Sequence, residues 1–476
     1  GSLWAGDAAD ESWSIVPTTV PGFSEPGERD TVCGGCQVTM SRNRRLGIAT
    51  AASVATGLAG QTALMVSGPL LARMLGLDGR GYLAALVLWP ALIAELGSLG
   101  LPLAVTYHIA RERASAKTVC RAALSFAVPQ ALLMTALHAA VLLLVLRGEP
   151  PSVRVAGVVT LAAVPASLAQ QYGLAMLQGQ QRFTAFNVFR LLPAVLYAGG
   201  VATLFMVGSS NILPVVLVLM GVNIGVGGTT LVTGLRADGS GDTASGSVSC
   251  TDMLRFGLRG LFGSVSPVES FRVDQMVLAL FLAPAALGLY VVGLAFTNLP
   301  RFIAQSVGMV AYPSVAARTD TAAARRSMWA FFWATMAMSV SIVVPLLLTA
   351  GWLVPLFFGD EFRDAIRVTQ ILLPGMVFAS ARRVLSDGLR GRGYSAAGTI
   401  AEVAAWLWLA PALAMLAPLW GVNGVALSLS SSYVVSFGVL LVIAIVHGEV
   451  RVPVTLVVSP RAAWDRLRLF ATPRSP

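Results

Sequence analysis

Residues 269–276 read ESFRVDQM and set Glu269, Arg272 and Asp274 between two apolar runs, LRGLFGSV and VLALFLAP. Carboxylates and a guanidinium so spaced can exchange protons or cations, hold phosphate oxygens through charge-assisted hydrogen bonds, or simply pair with one another. A charged side chain at the centre of a bilayer costs at least ~2.5 kcal/mol, so it faces protein or water rather than lipid. Glu95 and Arg301 are also set deep in apolar runs. What these five residues can do therefore depends on the elements that carry them.

Those elements are membrane helices. Of the 476 residues, 56% are hydrophobic and only 12% charged, about half the charged fraction of soluble domains. Apolar runs recur along the chain, each near the roughly 20 residues that a helix needs to cross a bilayer. Their spacing predicts an all-α polytopic membrane protein with about twelve spans. The first six are expected at 46–72, 81–108, 119–146, 155–178, 186–207 and 213–235. The second six are expected at 255–283, 286–314, 327–357, 365–388, 396–416 and 421–446. RADGSGDTASGSVSCTD, a Gly/Ser-rich stretch with no apolar content, separates the two sets. The expected organisation is a polar N-terminal extension (1–39), an N-terminal lobe (40–235), a cytoplasmic linker (236–254), a C-terminal lobe (255–447) and a cytoplasmic tail (448–476). The first 39 residues are rich in Gly, Pro and acids and have no apolar period, which reads as disorder. Met40 opens SRNRRLGIATAASV, so the working protein is expected to start near there.

Arg and Lys in the short loops set the orientation. Arg42, Arg44, Arg45, Arg111, Arg113, Lys117, Arg182, Arg236, Arg318, Arg325, Arg326, Arg390 and Arg392 fall on one side, with the tail residues Arg451, Arg461, Arg466 and Arg468. That side is expected to be the cytoplasm, with both termini on it. The net charge of +10 then marks a membrane edge rather than a nucleic-acid partner. With the orientation set, a rise of 1.5 Å per residue puts Glu269 to Asp274, Glu95 and Arg301 near one depth, on spans 7, 2 and 8. Glu269 and Arg272, three apart, share a helix face and are expected to pair. Asp274 lies about 200° around from Arg272, and Arg301 is its expected partner.

Two stretches repeat. LARMLGLDGRGY (71–82) aligns with LALFLAPAALGLY (278–290), and LQGQQRFTA (177–185) with LRGRGYSA (389–396), at nearly the same offset. With six spans in each half, both halves enter the membrane in the same sense. Two pseudo-symmetric six-helix lobes around a central cavity are the expected result.

RMLGLDGRGYLAALVLWPALIAELGSLGLPLAVTYHIAR, LQGQQRFTAFNVFRLLPAVLY and RVDQMVLALFLAPAALGLYVVGLAF give the sequence a resemblance, over essentially all of 40–447, to the Wzx-like oligosaccharide flippases of the polysaccharide biosynthesis family. That family lies within the multidrug/oligosaccharidyl-lipid/polysaccharide exporter superfamily. The resemblance implies two helical bundles in a bacterial cytoplasmic membrane, alternating access, and movement of an undecaprenyl-pyrophosphate-linked oligosaccharide from the cytoplasmic to the outer leaflet. It also implies cooperation with polysaccharide assembly proteins.

Two readings of the midplane charges stand side by side. As structural ion pairs, they lock helices together. As a working site, Arg272 and Arg301 hold pyrophosphate oxygens, while Glu95, Glu269 and Asp274 bind sugar hydroxyls or exchange protons or sodium to drive the cycle, with no cofactor. Two arginines and three acids sum to a net negative charge, unlike the more cationic cavity expected of the related lipid II flippases. Nearer the cytoplasm, the repeat alignment sets Arg190 opposite Glu402, an expected inter-lobe gate in the outward-facing state. Arg382, Arg383 and Arg390, in a cluster with Asp387 and Arg392, either anchor the inner edge of span 10 or offer a first landing site for phosphate. Gly68-Pro69, Trp89-Pro90, Gly97, Gly100, Pro102 and Pro267 are candidate bends. Gln61, Gln170, Gln171, Tyr172, Gln178, Asn187, Gln275, Asn298 and Gln305 either line a sugar-sized cavity or bond neighbouring helices. His108 and His138 read as packing or interfacial groups. A lone CGGC at 33–36 is a weak metal signal.

Several chemistries are excluded or disfavoured. Lys117 has no Gly-rich loop before it, so ATP hydrolysis by a P-loop is excluded, and neither HExxH nor GxSxG occurs. A polysaccharide polymerase or lipid-linked glycosyltransferase usually carries a sizeable extracytoplasmic loop with acid, Arg or His residues, and the outer loops here are short. A multidrug or small-molecule exporter of the same superfamily is the rival within the transporter class, followed by a lipid II flippase.

Overall fold

The computed structural model describes residues 35–111, 116–236, 253–258, 272–316, 318, 320–394 and 396–449. From Ala51 on, the chain packs as one compact unit. The first group of helices is α1 (Gly35–Gly97), α2 (Leu101–Arg111), α3 (Ala116–Val145), α4 (Pro151–Val159), α5 (Ala163–Gly179), α6 (Phe183–Met206) and α7 (Ile212–Leu235). The second is α8 (Val273–Phe281), α9 (Pro284–Ala295), α10 (Asn298–Ala316), α11 (Thr321–Phe358), α12 (Ala365–Gly391) and α13 (Ala397–Val446). No strand occurs among the described residues.

Among the described residues, seven helices are long and apolar enough to cross a membrane, or eight if the bent pair α9 and α10 counts as one span. Two of the seven carry two expected spans each. Within α1 the backbone turns at Gly76 (φ 67°), and within α13 it turns at Gly421 (φ 54°). Both angles are open to glycine at no steric cost. The expected loop between spans 1 and 2 is thus a kink. α12 covers the tenth expected span, although Arg382, Arg383, Asp387 and Arg390 make its inner half polar.

The other boundaries follow local chemistry. Pro151 and Pro284 stand at the starts of α4 and α9, where a missing N–H costs nothing. Asp320 caps α11 by accepting from the Ala322 and Ala323 amides at 2.9 and 3.1 Å. Of the candidate bends, Pro69 and Pro90 stay inside α1, whereas 98–100 form a true break. Leu99 (φ 51°) and Gly100 (φ 70°) take left-handed backbone there. Pro267 lies outside the described residues.

The expected span 255–283 is helical at 253–258 and again from Val273. Arg272 is the N-cap of α8, with left-handed φ 43° and ψ 45°. A helix running unbroken through Arg272 is therefore ruled out, and with it the basis for pairing Glu269 and Arg272 on one helical face. Glu269 itself lies outside the described residues.

The packing is that of two lobes. Buried clusters around Leu83, Leu86 and Val215, and around Val105, Leu168 and Met176, draw on α1–α7. Met253 joins the second of these, and Phe256 stacks on Tyr107 with ring centroids 4.5 Å apart. Clusters around Leu278, Tyr290 and Leu372, and around Phe332, Leu385 and Leu440, draw on α8–α13. Close helix crossings use small residues, as membrane bundles require without a hydrophobic drive between helices. A Cβ on Gly173 or Gly227 would meet the backbone of the helix across the α5–α7 crossing at 2.6 and 2.5 Å.

Two smaller clusters join the lobes. Leu88, Trp89 and Leu92 of α1 pack with Met276 and Ala279 of α8. Ala72 and Leu77 pack with Val292, Phe358 and Phe362. The antiparallel course of α1 and α8 then brings Glu95, one turn beyond Leu92, level with Arg272, one turn before Met276.

Candidate functional site

Asp274 sits in the first turn of α8 and is 4% exposed. Its carboxyl accepts a hydrogen bond from the Tyr290 hydroxyl of α9, Oη to Oδ2, at 2.6 Å. Tyr290 is fully buried. Arg301, the expected partner, lies within Coulombic reach of the same carboxyl. Arg272 feels Asp274, Arg301 and, from the other lobe, Glu95. Glu95 and Arg272 are exposed, while Arg301 is half-buried in α10. Four of the five residues expected at mid-depth therefore lie in one electrostatic neighbourhood, Glu95 from α1 and the others from α8 and α10. The backbone explains why: Arg272 leaves the helical path at the N-cap, and α9 and α10 meet at a 49° bend just before Arg301.

Tyr290 escaped the sequence reading. Its signal was present, since it closes the repeat segment 278–290 just as Tyr82 closes 71–82. Tyr82 likewise donates to a carboxylate, Oε2 of Glu149, at 2.6 Å.

From Tyr290 a chain of buried polar groups runs through the C-terminal lobe. Tyr433 of α13 neighbours Tyr290, and the Arg382 guanidinium lies 5.9 Å from the Tyr433 ring centroid, within cation–π range. Arg382 is ion-paired with Glu402, and both are buried. Glu402 therefore has a partner within its own lobe, and Arg190 is exposed on α6; in this conformation the two are not paired, and their gate was expected for the outward-facing state. Sequence alignment fixed their depth but not the direction in which each points around its helix. Arg382, for its part, is taken up by a buried ion pair and is not at a headgroup surface. Arg390 is exposed at the end of α12, and Arg383 pairs with Asp387 at 3.3 Å.

A small void of about 10 Å³, room for about one water, lies between α10 and α12, lined by Arg301, Gln305, Ser380 and Arg383 with Met376 and Ala379. Arg301 and Arg383 both line it. Both guanidiniums can donate bidentate hydrogen bonds to phosphate or carboxylate oxygens, and Gln305 and Ser380 suit hydroxyl groups. Further along, Arg392 donates from Nε and Nη2 to Oε1 of Glu449 at 2.9 and 2.8 Å, and Trp329 donates to the Glu449 carbonyl at 2.8 Å. This fixes the end of α13 to α11 and α12.

Several of the polar residues named from sequence bond neighbouring helices. Tyr172 donates to Gln130 at 2.7 Å, and Gln130 donates to the Gly97 carbonyl at 2.5 Å. Gln170 donates to the Phe189 carbonyl at 3.4 Å. His138 is buried in α3, and His108 packs edge-on against Tyr107 and Phe256. Among the described residues no group of three or more His, Cys, Asp or Glu could hold a metal ion. Cys33 and Cys36 lie outside them.

A search of curated proteins finds no match to the sequence. Among solved structures, the lipid II flippase MurJ in an inward closed conformation is similar at a TM-score of 0.65 and 11% identity, over 89% of this chain and 94% of that one. A multidrug resistance MATE family transporter of the MOP superfamily, inward-facing, matches at 0.62 and 15%, over 86% and 95%. A eukaryotic MATE transporter matches at 0.56 and 17%, over 85% and 96%. At such identities these likenesses establish the two-lobe transporter fold. The family model described as "Polysaccharide biosynthesis protein" matches residues 49–318, more than half of the sequence, and the chain belongs to that family.

Proposed function

We propose that this protein is a flippase that carries an undecaprenyl-pyrophosphate-linked oligosaccharide from the cytoplasmic to the outer leaflet of a bacterial cytoplasmic membrane by alternating access. The observation that carries this reading is the site of Glu95, Arg272, Asp274 and Arg301 at the lobe boundary. Exposed charges at mid-depth require water or a polar cargo beside them, and two guanidiniums beside carboxylates suit a ligand with both anionic and hydroxyl groups. Family membership and the likeness to a lipid II flippase support the same reading. Arg301 and Arg383 line one small polar void between α10 and α12, which sets two guanidiniums of the C-terminal lobe in one neighbourhood. Arg383 and Arg390 are the first contacts. Both termini lie in the cytoplasm, where the Arg-rich loops are.

Coupling to a proton or sodium gradient is assigned to Asp274. It is the buried carboxyl of the site, and the Tyr290 hydroxyl holds it in place.

One observation favours a second reading, a small-molecule exporter. Glu95 and Asp274 balance Arg272 and Arg301, so the site is not strongly cationic, and MATE transporters share the fold. The deciding experiment depletes the protein in its source bacterium and asks which leaflet holds the lipid-linked oligosaccharide. Accumulation on the cytoplasmic face, reversed by the intact protein but not by Arg272→Ala, is the expected result. An unchanged distribution of a complete intermediate overturns the flippase reading in favour of efflux. Unpolymerised units collecting outside point instead to a polymerase.

A further inference from the structure

At the end of the bundle opposite the Arg-rich loops, the kink between the first two expected spans meets the C-terminal lobe in three independent ways. Arg73, on the turn before Gly76, donates from Nε to the Phe357 carbonyl at 3.1 Å and from Nη2 to the Leu356 carbonyl. These carbonyls belong to the last turn of α11, which ends at Phe358 where Gly359 takes φ 103°. Carbonyls in a last helical turn have no partner within the helix and carry the negative end of its dipole, so a cation there is doubly favoured. Here the cation comes from the other lobe.

The second contact is backbone on backbone. A Cβ on Gly81 would overlap the Pro284 carbonyl, and one on Gly288 would come within 2.5 Å of the Leu77 carbonyl. Both glycines let the two lobes approach more closely than any side chain would allow. The third contact is apolar: Ala72 and Leu77 sit in a buried cluster with Val292, Val354, Phe358 and Phe362.

We infer that the 72–81 kink is the closure of the cavity at this end, and that Arg73 is its polar latch. The apolar and glycine contacts give the closed state its fit. The guanidinium makes it sensitive to competition, because its two hydrogen bonds run to neutral carbonyls and can be exchanged for water or an anion without stranding a buried charge. Arg73 is exposed, so this exchange is available as soon as the lobes part. The latch concerns the conformational cycle and not the cargo, so it stands whether the transported molecule is a lipid-linked sugar or a drug.

The test is a distance measurement between the lobes at this end. Spin labels go on Ser210→Cys and Leu419→Cys, in a background lacking the native cysteines, in lipid nanodiscs. Arg73→Ala is expected to raise the population of the long-distance state at least threefold over the unsubstituted protein, with Arg73→Lys, which can still donate to the carbonyls, in between. Arg154→Ala, an exposed arginine expected on the same side, is expected to leave the distribution unchanged. Gly288→Ala provides a second route to the same opening by wedging the backbone contact. Identical distributions for the unsubstituted protein, Arg73→Ala and Gly288→Ala would overturn the inference. Arg73→Lys behaving as Arg73→Ala would overturn the hydrogen-bonding role of Arg73. The leaflet experiment reports on cargo alone, so the two proposals fail separately.

Discussion

The same pair of groups, a tyrosine donating to a carboxylate at 2.6 Å, is found in each lobe at the end of the repeated segment. In the N-terminal lobe, Tyr82 reaches Glu149 on the short connection between α3 and α4, and both residues are partly exposed. In the C-terminal lobe, Tyr290 reaches Asp274 inside α8, and both are buried. One duplicated tyrosine thus ties a loop to a helix in one half and holds an ionisable group at mid-depth in the other. The rest of each lobe follows suit. The N-terminal interior carries a neutral network, Tyr172 to Gln130 to the Gly97 carbonyl, with Arg80 of α1 its half-buried charge. The C-terminal interior carries charge, with Arg382 to Glu402, Arg383 to Asp387 and Arg392 to Glu449. A neutral network can hold a break such as 98–100 in shape without responding to ions. A charged network costs desolvation and is justified where a charge must be received or released.

The sharpest way to break this contrast is to remove one partner of the most deeply buried pair. Arg382→Ala leaves the Glu402 carboxylate without its counter-charge in a site where each is at most 7% exposed. The expected loss is ~3–5 kcal/mol, read as a large fall in the thermal midpoint of the detergent-purified protein. Arg382→Met combined with Glu402→Leu removes both charges and is expected to recover most of that stability, because apolar replacements of similar size often match a buried ion pair. If the double variant recovers stability but not transport, the chain from Asp274 to Glu402 serves the cycle. If it recovers both, the pair only ties α12 to α13.

A middle-sized effect is expected from Tyr290→Phe, which keeps the ring in its cluster and removes the hydrogen bond to Asp274. The cost is ~1–3 kcal/mol in stability, with a loss of transport in the leaflet assay greater than the loss of folded protein. Retained transport at full expression would show that Asp274 does its work without the tyrosine, or does none.

How much of this was legible beforehand follows from the physics of each feature. Hydropathy sees length and polarity, so the helices, their order and the two lobes could be read from the chain. α11, predicted at 327–357, runs from Thr321 to Phe358. Depth along a helix follows from rise per residue, so Glu95, Arg272, Asp274 and Arg301 are expected at one level, and Arg272 lies within electrostatic reach of the other three. Direction around a helix does not follow from depth. Glu402 pairs with Arg382 of its own lobe, Arg190 is exposed, and the Asp274 carboxyl accepts from Tyr290. Backbone breaks were half visible. The glycines around 97–100 announced one, whereas nothing in FRVDQ announces that Arg272 leaves the helical path, because an arginine at positive φ has no compositional mark.

The smallest effect separates the two tyrosines most cleanly. Tyr82→Phe deletes a hydrogen bond of the same length as that of Tyr290, but Glu149 lies on a connection where water can replace the phenol. The desolvation penalty that makes a lost partner expensive is then absent. The expected change is under about 1 kcal/mol, with transport intact. A Tyr82→Phe variant that falls as far as Tyr290→Phe would mean that the two lobes use their repeated tyrosines alike. The burial of Asp274 would then be incidental to its role. A flat response beside a fallen Tyr290→Phe would place the working half of the duplication in α8–α13, with the N-terminal lobe acting as the rigid body against which it moves.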